Sequence, residues 1–386
     1  MHNDQPMASI IPQQTPPQRL DLIQQARRAL LLQEQQATEG LVAPWIHRSW
    51  QRCLGLGHRP GDPVGFDLLP AAAARRTRES NRVLTQAAQP VLHKLGRALA
   101  RTRYFAILTN IHGVVVDVNG PIDRSDRRAD LITRIGVDLS ERSVGTTAIG
   151  AALGELAPVW LHRGEHFFDD TSVYSCAGAP LFGAQGECVG MLDLTGIDVP
   201  ERPELKHLVA QSACAIENLL ALQTPHAILL RVNWPGHPLG DDSDGLIGLD
   251  ADGVVLSSNS AARAMVPQIV GPSARGARRC HSSELFAIPF ELLFDASRSA
   301  AQAIDVPLWS GLHIQALSLP VGASAGAMPQ HPPMTAPSAG PRRLKDIETA
   351  LIRKAVDEAR GNVALAAQRL GVSRATVYRK LGLRRP

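Results

Sequence analysis

The chain has 386 residues, 44% hydrophobic and 20% charged, with a formal net charge of +4, so it is long enough for about two to four separately cored domains. It opens on a polar Gln- and Pro-rich stretch rather than a basic start followed by an apolar core, and no segment approaches the roughly eighteen apolar residues that span a bilayer. A cytoplasmic protein is expected, and Cys53, Cys176, Cys188, Cys214 and Cys280, with no CxxC pair, indicate reduced thiols rather than a disulfide framework or a thiolate zinc site.

Residues 20–36 and 82–103 carry apolar side chains at helical spacing, the second set being Val83, Ala87, Val91, Leu95 and Leu99. Two apolar runs, 105–108 and 114–116, flank Asn110-Ile111-His112-Gly113 and predict a β-hairpin. Residues 143–153 read as a short helix, and 179–182 with 188–194 as paired strands about the turn Gly183-Ala184-Gln185-Gly186. A helix is expected over about 202–222. Hairpins with helices on one face make an α+β domain of the kind that encloses a small pocket.

Around 223–243, Pro225, Pro235, Gly236, Pro238 and Gly240 interrupt any periodic pattern and suggest a seam. Beyond it, 246–249, the turn Asp250-Ala251-Asp252-Gly253, 254–256, an Ala-rich helix at 260–265 after Asn259, and apolar runs at 304–309 and 313–319 predict a second small α+β domain. Residues 323–341 hold five prolines and no Asp, Glu, Lys or Arg, a composition that behaves as a flexible linker. No repeat of solenoid period is present.

The tail is different in charge and in pattern. Residues 342–386 hold twelve Lys or Arg against four Asp or Glu, a net +8, which leaves −4 on the other 341 residues and points that module at a polyanion. Leu344, Ile347, Leu351, Ala355 and Ala359 mark a first helix that Gly361-Asn362 breaks, and 363–370 a second. Gly371 supplies the turn, and Ser373 the N-cap of a third helix through Leu381. Ala367 is small where two crossing helices approach, while Leu370, Val372, Val377 and Leu381 are apolar where a core needs them. A tri-helical helix-turn-helix results, its third helix exposing Ser373, Arg374, Thr376, Tyr378, Arg379 and Lys380 to the bases and phosphates of double-stranded DNA. The competing reading is a basic solvated helical hairpin.

The run from Gly361-Asn362 to Leu370-Gly371-Val372-Ser373-Arg374-Ala375-Thr376-Val377-Tyr378-Arg379-Lys380-Leu381 resembles the Fis-type helix-turn-helix of bacterial enhancer-binding regulators. That resemblance implies DNA contact by Arg374, Thr376, Arg379 and Lys380, with Ser373 and Asn362 at the backbone, and a homodimer reading two half-sites. His47-Arg48-Ser49-Trp50-Gln51-Arg52-Cys53, the stretch Leu139-Ser140-Glu141-Arg142-Ser143-Val144-Gly145-Thr146-Thr147-Ala148-Ile149-Gly150, and Gly190-Met191-Leu192-Asp193-Leu194-Thr195-Gly196 are similar to the N-terminal half of the acetoin-catabolism-regulator group of sigma-54 activators. Over about 20–222 this implies a GAF domain that binds a small-molecule effector; the block 244–320 is similar, less specifically, to a PAS domain. Such activators carry an AAA+ ATPase between sensor and DNA reader. No Gly-Lys dipeptide, and hence no GxxxxGK[ST], occurs in this sequence, so ATP-driven remodelling is not expected and RNA polymerase would be recruited or blocked by occupancy.

His162-Arg163-Gly164-Glu165-His166 fits the HxxEH spacing of inverted zinc peptidases, which requires a helix to set both imidazoles on one face. Gly164 and the preceding Pro158 favour a loop or hairpin instead, with the three residues lining a pocket, serving structure, or touching a regulatory metal or ligand. Gly145-Thr146-Thr147 is a helix start or an anion site. Trp45 and Trp50 are expected in the core.

The fold class expected is therefore multidomain: a helical, partly disordered segment (1–80), an α+β GAF-like sensor domain (81–222), an α+β PAS-like domain (244–320), a linker (323–341) and an all-α Fis-type helix-turn-helix (342–386). The expected function is ligand-responsive transcriptional regulation, without enzymatic activity or a cofactor. The alternative is an accessory or architectural DNA-binding protein that pairs with a full-length activator and binds no ligand. Candidate effector contacts are Thr146, Thr147, His162, Glu165 and His166.

Overall fold

The computed structural model describes residues 16–31, 40–269, 279–298, 302–320, 367 and 377. Two compact units divide the chain, Met1–Ala325 and Gly326–Pro386.

The first unit begins with two amphipathic helices. In α1 (Pro16–Leu31), Ile23, Ala26 and Leu30 share a buried face. Helix α2 (Pro44–Gly55) starts on a proline, whose missing N–H costs nothing in a first turn, and buries Ile46, Ser49, Trp50 and Cys53 along one stripe. Helix α3 (Ala71–Ser80) buries nothing, whereas α4 (Arg82–Leu99) buries Leu84, Ala88, Val91, Leu92, Leu95 and Leu99. Next comes the hairpin of β1 (Tyr104–Asn110) and β2 (Val115–Asn119), closed by Asn110, whose Oδ1 accepts the N–H groups of His112 (2.9 Å) and Val114 (3.0 Å). After it follow α5 (Arg127–Ile132), α6 (Glu141–Val144), α7 (Ala148–Glu155), β3 (Val159–His162), β4 (Tyr174–Phe182), β5 (Cys188–Ile197) and α8 (Leu205–Gln223).

The strands form one antiparallel sheet in the order β2-β1-β5-β4-β3. Strand β5 lies between β1 and β4, with Asp193 opposite Ile107 on one side and Gly178 on the other. Every residue of β1 is buried, so both faces of the sheet are covered. Tyr104, Ala106, Leu108, Leu192 and Leu194 pack against α4 and α8, and Phe105, Ile107, Tyr174, Cys176 and Met191 face α5, α6 and α7.

A second antiparallel sheet follows within the same unit. Its strands are β6 (Ile228–Asn233), β7 (Gly245–Leu249), β8 (Val255–Ser258), β9 (Ile304–Pro307) and β10 (His313–Pro320), in the order β8-β7-β6-β10-β9. Helices α9 (Ser260–Met265), α10 (Ser282–Leu285) and α11 (Glu291–Arg298) occur between β8 and β9. The β7–β8 turn repeats the Asn110 device, Asp250 Oδ1 accepting from the N–H of Asp252 (3.0 Å) and Val254 (2.9 Å).

Helix α8 joins the sheets. Asn218 on α8 donates to the carbonyl of Asp242 (2.9 Å) and accepts from Asn259 Nδ2 (2.7 Å). Glu217 accepts from the Phe182 N–H (3.1 Å) of the first sheet and the Ser260 N–H (3.3 Å) of α9, and burial raises the pKa of its carboxyl. The Ser258 N–H also bonds to the carbonyl of Ala184 in the β4–β5 turn (2.7 Å).

Three expectations change. The helix expected over 143–153 is two, because Gly145 sits at φ +68 with Phe168 packed so close that an added Cβ would lie 2.8 Å from its ring. The seam drawn over 223–243 contains β6, the central strand of the second sheet, so that domain's chain begins before 244; prolines and glycines lie beside Ile228–Asn233 rather than within it. The segment 1–80 is not apart from the domain after it: Ile23, Leu30, Ile46, Trp50 and Cys53 share a core with Phe167 and Phe168. No helix among the described residues is long and apolar enough to cross a membrane. The linker expected over 323–341 lies outside the described residues.

Candidate functional site

The N-terminal helices hold the connection between β3 and β4. Trp50 donates its indole N–H to the carbonyl of Glu165 (2.9 Å), and the Arg27 guanidinium, 5.9 Å over the Trp50 ring, donates to the carbonyls of Gly164 (3.1 Å) and His166 (2.6 Å). Arg19 pairs with Glu165 (2.7 Å) and Glu201 (3.0 Å). The His47 to Cys53 motif is therefore a packing face: Ser49 bonds to Thr146 (2.7 Å), Trp50 to the 162–166 turn, and Arg52 to Glu141 (2.6 and 2.8 Å).

That clamp fixes the HxxEH string in a form unlike a zinc helix. His162 closes β3, and Arg163–Glu165 is a single 3₁₀ turn. His162 Nδ1 is bonded to the Ser175 hydroxyl (2.8 Å), and burial lowers its pKa to about 4. Burial raises the pKa of the Glu165 carboxyl against the pull of Arg19; the carboxylate accepts the His162 N–H (2.7 Å) and ties the turn. His166 points elsewhere. Its Nδ1 is 2.9 Å from the carbonyl of Arg163, which can only accept, so Nδ1 carries the proton. Burial lowers its pKa to about 4 and keeps it neutral, leaving Nε2 a bare acceptor with no partner among the described residues.

His166 faces a cavity of about 30 Å³ between the first sheet and helices α5 to α7. Ile107, Ile132, Leu139, Val144 and Ile149 make its walls apolar, and Phe66 closes one side. Tyr174, Cys176, Asp193 and Thr195 bring polar atoms to it from β4 and β5. The Thr195 hydroxyl donates to Asp193 Oδ2 and lies 3.3 Å from Cys176 Sγ. Asp193 Oδ1, buried, has no partner among the described residues. With no cation against it, burial raises its carboxyl to about 7 despite the Thr195 bond. Burial, helped by Asp193, keeps Cys176 a thiol, so it is no nucleophile.

Of the five effector candidates, the structure brings Thr147 and His166 to this cavity. Thr147 is chiefly the N-cap of α7, accepting from the Gly150 N–H (3.2 Å). Thr146 is buried against Ser49 and Cys53, where an anion would have to sit, and His162 and Glu165 spend their polar atoms on the turn. Sequence reasoning passed over Asp193. Its signal is a carboxylate on the face of β5 that also carries Met191 and Ile197, within a strand otherwise apolar or small there. An open groove of about 620 Å³ beside Leu56 and Ile111 offers less, since its Arg52 and Glu141 are bonded to each other. Among the described residues no cluster of three or more His, Cys, Asp or Glu could hold a metal ion.

In the tail, Ala367 and Val377 are both helical and buried, which fits one as the close-approach residue and the other as core. Asn362, Ser373, Arg374, Thr376, Tyr378, Arg379 and Lys380 lie outside the described residues.

Residues 343–382 match the family described as bacterial regulatory protein, Fis family, and 21–218 match the MimR N-terminal domain. A mixed α/β sensor region and a Fis-type DNA-binding module in one chain define a transcriptional regulator. More particularly, since the second match covers half its length, the chain belongs to the MimR N-terminal domain family. It is 30% identical over 263 residues to the acetoin catabolism regulatory protein of Cupriavidus necator, covering 65% of this chain and 37% of that one. It is 29% identical over 181 residues to the propane 2-monooxygenase operon transcriptional activator MimR of Mycolicibacterium goodii, covering 46% and 30%. The chain thus spans about a third of the length of these relatives. The crystal structure of the E. coli DhaR(N)-DhaL complex is similar at a TM-score of 0.44 and 16% identity, covering 72% of this chain and 100% of that one.

Proposed function

We propose that the chain is a sequence-specific DNA-binding regulator whose first sheet, a GAF-like domain, binds a small-molecule effector, the second sheet being a PAS-like domain between sensor and DNA reader. The observation that carries the reading is a closed cavity with two unpaired buried polar atoms in a chain that also holds a Fis-type module of net charge +8. Buried polar atoms without partners are costly in a fold built only for stability, and a ligand supplies the missing bonds. Chemically, the cavity selects by shape and hydrogen bonding; its thiol and imidazole have no geometry for covalent work.

Arg374, Thr376, Tyr378, Arg379 and Lys380 are the proposed contacts in the major groove, with Asn362 and Ser373 at the phosphates, and a homodimer presents two such helices to half-sites one turn apart. An effector that favours one arrangement of the dimer changes operator affinity by its differential affinity for the two states. With no phosphate loop between sensor and reader in this sequence, occupancy rather than ATP hydrolysis acts on polymerase. The relatives' names place them in catabolic operons, which supports a metabolite as the class of effector.

A mobility-shift titration of the full chain on genomic fragments, at several salt concentrations, tests this. Binding to a subset of fragments that weakens steeply with salt is expected. No retention of any fragment at low salt refutes the reading.

A further inference from the structure

The unpaired atoms of the cavity specify more than that something binds. His166 Nε2 is an acceptor, because Nδ1 spends its proton on the Arg163 carbonyl. Asp193 Oδ1 is the free oxygen of a carboxyl whose other oxygen already accepts from Thr195. No cation stands in the cavity wall, whose remaining surface is almost wholly apolar. The carboxyl is protonated over much of the neutral range, with its pKa near 7, and so offers Oδ1 as a donor.

One acceptor and one donor, set in an apolar chamber, match the two capacities of a single hydroxyl. A carboxylate ligand would meet only an acceptor and an acid. A ketone accepts from Asp193 and leaves His166 Nε2 bare. An ammonium ion must shed its hydration into an apolar chamber, with a carboxyl that has first to ionise. Size narrows the choice further, since about 30 Å³ holds only one or two waters, and a ligand of a few carbons enters only as the wall yields. The half-buried Phe66, on the irregular chain between α2 and α3, is the side able to yield.

We propose that this cavity is the effector site and that it takes a compact, uncharged alcohol, whose hydroxyl donates to His166 Nε2 and accepts from the Asp193 carboxyl while its carbon chain lies against Phe66 and Ile107. The proposal rests on the reading of the chain as an effector-responsive regulator and names the chemistry of that response.

Its test uses the full chain and a matched set of probes: 2-butanol, 2-butanone, the protonated sec-butylamine, and butyrate. Thermal unfolding and titration calorimetry should show saturable binding of 2-butanol. Binding of 2-butanone should be roughly ten- to hundred-fold weaker, the loss expected when one buried polar atom stays unpaired. The amine and the acid should not bind. Asp193→Leu should abolish the 2-butanol response, and Phe66→Ala should shift preference toward longer alcohols. Should Asp193→Leu not fold, the alcohol-to-ketone ratio on the unaltered chain decides. Equal affinity for 2-butanol and 2-butanone, tighter binding of the amine, or no saturable binding of 2-butanol at about 10 mM overturns the assignment. If 2-butanol binds and operator affinity does not move, the site stands and effector-coupled regulation falls. If it does not bind, the site falls and the DNA titration still judges the regulator.

Discussion

Asp193→Asn isolates the energetic cost of an unpaired carboxyl in the sensor core. The side chain is fully buried, and its carboxyl titrates at about 7 in the folded chain against 3.8 for the unperturbed group. For an acid whose folded value is raised, the associated stability is present in full below about pH 4 and is lost as the pH rises through 7, because above 4 only the folded state still holds the proton. Each unit inside that window is worth about 1.4 kcal/mol, so between pH 5 and 7 the wild type should lose roughly 2–3 kcal/mol relative to the Asn variant, which has no proton to lose. For a region of this size that is a change of roughly 5–10 °C in the difference between the two melting temperatures. His162 and His166, both lowered to about 4 by burial, act in the opposite direction: their contribution is present above about 6.5 and is lost as the pH falls through 4. They are common to both proteins and drop out of the difference. Tryptophan fluorescence is the assay, since Trp50 and Trp160 are both buried in the same unit. A difference that does not change between pH 5 and 8, or that favours the wild type increasingly as pH rises, refutes the claim that Asp193 is buried without a charge partner.

Trp50→Ala removes the ring that packs with Ile46 and Phe167 and the indole bond to the 162–166 turn; a loss of about 3–5 kcal/mol in urea unfolding is expected, and one below 1 kcal/mol would place α2 outside the core. Gly145→Ala forces a Cβ toward Phe168 at a positive φ and should cost roughly 2–4 kcal/mol, whereas Gly236→Ala, also at positive φ but with open space around it, should cost less; equal effects would contradict the close packing. Asn259→Ala leaves the N–H of Leu246 and Ala262 and the side chain of Asn218 without their partner, a loss of roughly 2–4 kcal/mol; hydrogen exchange should show faster opening where α8 meets the second sheet, and unchanged protection there would refute its role as the joint. Arg374→Ala should lower affinity for the preferred operator by about 1–3 kcal/mol while changing non-specific binding little; an equal loss on every fragment would mean that it touches only phosphate.

Much of the architecture is legible in short-range chemistry. Asn110 and Asp250 announce their turns because a carboxamide or carboxylate oxygen can take the two N–H groups of its own loop, and the buried stripe of α4 follows from apolar spacing alone. The charge and helix punctuation of the tail are likewise local, and they point to DNA without reference to any other part of the chain. What local chemistry cannot register is which segments become neighbours. Strand β6 was hidden between prolines and glycines, because an entirely buried central strand has no alternating pattern and its flanks looked like linker. The clamp of α1 and α2 on the 162–166 turn joins residues more than a hundred positions apart.

The cavity is the sharpest case. The sequence determined that the HxxEH string is no helix, through Gly164 and Pro158, but gave all three polar residues equal standing. Only the sheet order decided among them: placing β5 between β1 and β4 sets Asp193 on the face that α5 to α7 cover, and the Arg163 turn directs His166 alone to the same chamber. The physical reason is that burial and the pairing of polar atoms are properties of the assembled surface, fixed by long-range packing, whereas turns, caps, helical stripes and net charge are fixed by residues a few positions apart.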